Sequence, residues 1–174
     1  RRAVVLNSTK TAEPELRPGV SPIAEEWKKG QHTFTLETTL RWMLQDSDNT
    51  AGDKLVALLG PKDVTARLRA FGMNGVDVAE QEIEIFARTH CPGSPPPPDG
   101  WTFPRISACP NATPEVHRAA AQHEIDASPN AATTDALVDM LAILERGAAL
   151  SPSSRTWLRE TLAGTKTGAA RMRA

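Results

Sequence analysis

The sequence predicts a mainly α-helical segment interrupted by one long proline-rich loop. Two observations carry that prediction. Apolar residues recur at helical spacing, above all at Leu36, Leu40, Met43 and Leu44, and again at Leu137, Met140, Leu141 and Leu144. Residues 73 to 113 lose that period, and prolines crowd into "CPGSPPPPDGWTFP".

Residues 1 to 33 are mixed. "AVVLN" reads as a short strand, and "LRPGVSP" as turn chemistry, because Pro presets φ and Gly permits positive φ. "SPIAEEW" opens a short helix at Pro22. A longer helix begins near Thr35 and ends in the polar run "QDSDNT". The next helix carries Leu55, Val56, Leu58 and Leu59 and stops at Gly60-Pro61. Thr50 with Asp53 three residues on fits a variant capping box, which starts this helix at Asn49 or Thr50. Val64, Leu68 and Phe71 mark a third helix, ended by Gly72.

"NGVDVAEQEIEIFARTH" alternates charged residues with Val and Ile. It is too acidic for a core strand, so the expectation is a loop with Val and Ile facing inward. The proline-rich loop follows over 91 to 113, then a weak helix over 114 to 125. A strong helix covers 131 to 147, with Gly147 placed to end it. A final helix starts at Pro152 with Ser151 as N-cap. No internal repeat is present.

The 174 residues suffice for one domain or a large piece of a bigger one. Basic and acidic residues number 20 and 21, for a net charge of -1, so no nucleic-acid or anionic-membrane partner is implied. No apolar run approaches the ~20 residues that span a bilayer. With no Tyr, four Trp and four Phe, the expected core is aliphatic. The chain starts without Met and ends in mid-pattern at "TGAARMRA", which reads as a mature segment or a fragment.

Cys91 and Cys109 bracket the proline-rich loop. A disulfide between them would contribute about 3 kcal/mol on the chain-entropy model and would need an oxidising compartment. Two free thiols are the alternative. His90, His117 and His123 add nitrogen ligands, but no CxxC or HxxxH spacing supports a metal site, so neither metal nor cofactor is expected.

"SPIAEEW" and "LETTLRWMLQDSDNTAGDKLVALLGPKDVTARLRAFG" resemble the helical subdomain of class A serine β-lactamases. "NAATTDALVDMLAILERGAALSPSSRTWLRETLAGTKTGAARMRA" resembles that family's stretch after its Ω loop. The resemblance covers most of the chain outside residues 87 to 125. It implies the helical subdomain of the serine β-lactamase/transpeptidase-like fold. Residues 1 to 174 would then form one helical segment of the catalytic domain, with the missing α/β subdomain as intramolecular partner. It further implies a bacterial, periplasmic or secreted enzyme that opens β-lactams through an acyl-enzyme and so confers antibiotic resistance.

Residue by residue, the resemblance implies that Ser47 relays a proton toward the lactam's leaving nitrogen and that Asn49 hydrogen-bonds the substrate's side-chain amide. Asp48 would point inward and fix the turn, since in an extended turn the middle residue faces away from its neighbours. Taken without their context, Ser47 and Asn49 read as helix caps. Glu82 falls where the family has the Ω-loop Glu that activates the deacylating water. Arg173 matches an Arg that helps bind the substrate carboxylate, a task suited to a bidentate guanidinium.

Several positions depart from the family. Phe86 stands where an Asn usually holds the water. Asn130 stands where an Asp often closes the Ω loop by an ion pair, and Val20 replaces a common aromatic at the site entrance. The family's Ser-x-x-Lys is not found: no Ser of this chain has Lys three residues on. Lys166-Thr167-Gly168 matches the family's catalytic Lys-Thr-Gly in letters only, because it precedes the Arg-x-Arg-Ala region instead of following it. The segment alone is therefore expected to be inactive. Two rivals follow: a helical module that kept the scaffold and lost the chemistry, and a penicillin-recognising peptidase relative, against which Glu82 argues.

Overall fold

A computed structural model describes residues 3–5, 21–30, 33–127 and 130–168. Strand β1 (Ala3–Val5) pairs antiparallel with β2 (Thr33–Thr35), with Val4 opposite Phe34. Between them lies α1 (Pro22–Lys28), started by Pro22 and capped by Ser21, whose hydroxyl accepts the Ala24 N–H at 3.2 Å. Helix α2 (Leu36–Gln45) follows β2 directly and is capped by Thr35, which accepts the Thr38 N–H at 3.1 Å.

Helix α3 (Asn49–Leu59) packs on α2 and ends at Gly60, whose φ of 83° redirects the chain straight into α4 (Pro61–Ala70). Helix α3 starts at Asn49, as expected, and its N-cap is Asp48. Its carboxylate accepts the Ala51 N–H at 3.1 Å. Asp53 reaches the start of a distant helix.

The segment expected as an acidic loop is largely ordered. Strand β3 (Val76–Asp77) pairs with β4 (Ala131–Ala132), and residues 82 to 90 form helix α5 (Glu82–His90). The alternation of Glu and Ile concealed a second spacing. Ile83, Phe86, Ala87 and Cys91 fall on one helical face, and all four belong to one apolar cluster with Ile106. The proline-rich stretch also contains a short helix, α6 (Phe103–Ser107), started by Thr102 and Pro104. Cys91 and Cys109 are joined in a disulfide with Cα atoms 5.6 Å apart, closing the stretch onto the end of α5.

Helix α7 (Pro114–Ala127) packs on α5. Helix α8 (Thr134–Arg146) ends at Gly147 in the left-handed conformation, φ 75°. A Cβ there would lie 2.6 Å from Arg155 Nη1 and would displace the tip of that side chain. Helix α9 (Pro152–Ala163), capped by Ser151, returns to α2: Gln45 Nε2 donates to the Thr161 carbonyl at 2.9 Å, and Trp157 Nε1 to Glu37 at 3.2 Å.

Among the described residues the fully buried core is largely aliphatic, as expected, with Phe34 its one aromatic, and partly buried aromatics pack against it. Ile23, Phe34 and Ala51 are buried with Trp27, Trp42 and Met43 against them, and Phe34 meets Trp42 edge-on at 5.1 Å. The second cluster uses Phe86 and Trp101. The few aromatics are concentrated where helices meet, while Leu58, Leu59, Leu137 and Leu141 remain 42–60% exposed. Among the described residues, no helix is long and apolar enough to cross a membrane.

Candidate active site

The polar run between α2 and α3 is a turn shaped by Asp48. This carboxylate is 1% exposed and accepts from the Ser21 hydroxyl at 3.0 and 3.1 Å, the Ile23 N–H at 3.0 Å and the Ala51 N–H at 3.1 Å. It thus caps α3 and pins the start of α1 with the same two oxygens. Ser47 adopts a left-handed φ of 55°, the only non-glycine residue described that does so. That conformation turns the chain so that the Asp48 N–H bonds back to the Trp42 carbonyl at 3.1 Å. With Asp48 directed inward, Ser47 and Asn49 lie at the rim of a cavity of about 360 Å³.

Glu82, 35 residues downstream of Ser47, lines the same cavity. Its position is fixed by Asp53. The Glu82 and Ile83 N–H groups donate to the two Asp53 oxygens at 2.6 and 3.1 Å, so a carboxylate from α3 caps the N-terminus of α5. Asn49 and Asp53 are four apart on α3 and therefore share a face. One helix turn thus places Asn49 at the cavity and ties Glu82 beside it.

The strand-like stretch leading to Glu82 is tethered at nearly every residue. Asp77 pairs with Arg69. Val78 exchanges both backbone groups with the Thr65 hydroxyl at 2.8 Å. Asn130 Oδ1 accepts the Ala79 and Glu80 N–H groups at 2.7 and 3.2 Å, and its Nδ2 donates to the Glu80 carbonyl at 3.1 Å. A neutral amide here makes three hydrogen bonds to backbone in place of an ion pair.

The Glu80 side chain is held separately. Arg88 Nη1 donates to it at 2.8 Å and Nη2 bonds its other oxygen. The adjoining edge of the same guanidinium, which shares Nη2, grips Glu124 of α7, through Nε at 2.7 Å and Nη2 at 2.8 Å. The two carboxylates hold the Arg88 guanidinium well above its ordinary range, Glu124 contributing most. Arg88 in turn holds Glu124 below the usual carboxylate value, against the opposing effect of burial.

A lowered carboxylate pKa contributes stability that is present above the unfolded value and lost as pH falls through the folded one. We therefore expect Glu124→Gln to lower stability by roughly 1–2 kcal/mol at neutral pH, discounted for the solvent exposure of Arg88. The two proteins should converge as pH drops below the ordinary carboxylate value of 4.5. Melting temperatures recorded from neutral to acid pH check this, and parallel curves would contradict it.

Phe86 does not face the cavity. It packs on His90 at 3.7 Å and near Phe103 at 6.2 Å. Lys166-Thr167-Gly168 lies in the segment after α9 and docks on the Ser47 turn. The Lys166 N–H donates to the Gln45 carbonyl at 2.8 Å, Lys166 Nζ pairs with Asp46 at 2.8 Å, and the Thr167 and Ser47 hydroxyls are 2.8 Å apart. Arg173 and Val20 lie outside the described residues. Among the described residues no group of three or more His, Cys, Asp or Glu could hold a metal ion.

The structure therefore brings Ser47, Asp48, Asn49, Glu82 and Asn130 to one cavity. Sequence reasoning placed Glu80 only among the carboxylates of the 73 to 113 stretch, and it missed the site roles of Asp53, Arg88 and Glu124. Only Asp53 left a usable signal, its four-residue spacing from Asn49.

Solved structures share this architecture. A β-lactamase from Chitinophaga pinensis matches with TM-score 0.63 and 19% identity over 99% of this chain and 50% of its own. L2 in complex with relebactam matches with TM-score 0.59 and 22% identity over 97% of this chain and 47% of its own. A class A β-lactamase variant of the last common ancestor of Gram-negative bacteria matches with TM-score 0.55 and 25% identity, over 93% and 47%. The chain thus spans about half the length of these proteins and has the fold of their helical subdomain. No curated protein matches it. The model of the "Beta-lactamase enzyme family" matches residues 3–174, nearly the whole chain, and the chain belongs to that family.

Proposed function

We propose that this chain is the helical part of a serine β-lactamase, a periplasmic or secreted enzyme whose other, α/β part carries the nucleophile. In the intact protein a Ser from that part attacks the β-lactam carbonyl. Ser47 passes a proton to the departing ring nitrogen, Asn49 receives the substrate's side-chain amide, and Arg173 binds its carboxylate. Glu82 then takes a proton from a water that hydrolyses the acyl ester, leaving the opened antibiotic inactive.

The observation that carries this reading is the convergence of Ser47, Asn49 and Glu82 on one cavity, from a turn and a helix start joined through Asp53. The disulfide supports an oxidising compartment. The exposed leucines of α3 and α8 support a covering partner from the rest of the protein. On this reading residues 1 to 174 alone do not turn over β-lactams. A scaffold that has lost the chemistry is the second reading. Phe86 favours it, because it stands where the resemblance expects the amide that holds the water, and its ring packs in the α5–α6 cluster.

The test uses the full-length protein with a chromogenic cephalosporin. Hydrolysis, with a transient adduct of the opened β-lactam on a serine seen by mass spectrometry, is the expected result. A protein that neither hydrolyses nor acquires an adduct is the non-catalytic scaffold.

A further inference from the structure

The segment that follows Glu82 is tied to the loop before it. Cys91 lies immediately after α5 and is bonded to Cys109. The His117 ring of α7 contacts the Thr89 carbonyl at 2.9 Å. Arg88, two turns along α5 from Glu82, faces both Glu80 and Glu124. Glu124 is only 9% exposed and Glu80 only 16%. Glu80 therefore has its backbone fixed by Asn130 and its carboxylate fixed by Arg88, and it lines the same cavity as Glu82.

We propose that Arg88 is a positioning residue for Glu82. It holds the loop that presents Glu82 and makes that placement depend on helix α7, which follows the disulfide-closed stretch. Three points support this. The planar guanidinium uses its two edges for two carboxylates from different segments, a fit that ammonium cannot reproduce. Glu80 is two residues from Glu82, so a shift of one is transmitted to the other through a short extended stretch. Arg88 also supplies the opposite charge to Glu80, a second carboxylate at the cavity that would otherwise stand beside Glu82 uncompensated.

The proposal rests on Glu82 being the deacylating base, and its test separates the two ideas. In the full-length protein, Arg88→Met is expected to lower kcat by about tenfold to a hundredfold, the scale of a misplacement of up to ~1 Å. KM should fall with it, leaving kcat/KM within about twofold, because acylation does not use Glu82. Acyl-enzyme should accumulate in the steady state, and Glu124→Gln should do the same to a lesser degree. Arg88→Lys should restore part of the lost rate. A purely structural role would instead lower kcat and kcat/KM equally by reducing the active fraction, and that outcome overturns the proposal.

Hydrogen exchange decides the matter independently of activity. Amides of residues 79 to 83 should exchange faster in Arg88→Met than in wild type while those of α2 and α9 are unchanged. Unchanged exchange at 79 to 83 overturns the proposal even if the wild type is inactive. An inactive wild type with faster exchange leaves Arg88 as the clamp and removes the catalytic reading of Glu82.

Discussion

Asp48→Ala is expected to cost about 3–5 kcal/mol, a large share of the stability of an ordinary domain. The reason is the number of donors that converge on one buried carboxylate. The Ile23 and Ala51 N–H groups and the Ser21 hydroxyl would all lose their acceptor. Ile23 and Ala51 are fully buried, so water cannot replace it without opening the junction of α1 with α3. Each stranded donor costs about 1–3 kcal/mol. Asp48→Asn keeps one carbonyl acceptor but turns an NH₂ toward a donor, and should lose roughly half as much. Urea unfolding of the full-length protein measures both. An Asp48→Ala midpoint shift worth less than about 0.5 kcal/mol at unchanged slope would show that the turn does not depend on this residue.

Glu82→Gln carries the other large effect. On the proposed mechanism the amide cannot take the water's proton, so deacylation should slow by roughly 10²–10⁴-fold. Acylation should persist, giving a burst of one product equivalent followed by a stall and a stable adduct. The backbone N–H of residue 82 donates to Asp53, a contact that Glu82→Gln leaves in place. Deacylation at the wild-type rate would remove Glu82 from the role of base.

The helices were legible because their signals are local. Leu36, Leu40, Met43 and Leu44 repeat at helical spacing, and Ser21, Thr35 and Ser151 sit at the N-caps of α1, α2 and α9. Helix α5 was hidden because "EIEIF" satisfies period two over its first residues, which masked a local capping box between Gln81 and Glu84, and because Asp53, which also accepts from its first N–H groups, is 29 residues away. The aromatic contribution to the core was hidden for a similar reason. Composition counts Trp and Phe but cannot place Trp42 against Phe34. The resemblance to a family located Ser47, Asn49 and Glu82 by order and spacing. It offered nothing for Glu80, Arg88 and Glu124, since Glu124 lies on a helix within the segment that the resemblance does not cover.

Ser47 invites one more conclusion. A side chain in the left-handed region costs of the order of 1–2 kcal/mol relative to glycine, which enters it freely. At every other described position with such a backbone, this sequence has placed glycine. Ser47 is the exception, so folding stability and the hydroxyl make opposing demands on the same residue. Glycine there would relieve the backbone but would remove the hydroxyl that meets Thr167 at 2.8 Å, so Ser47→Gly trades one contribution to the fold against another.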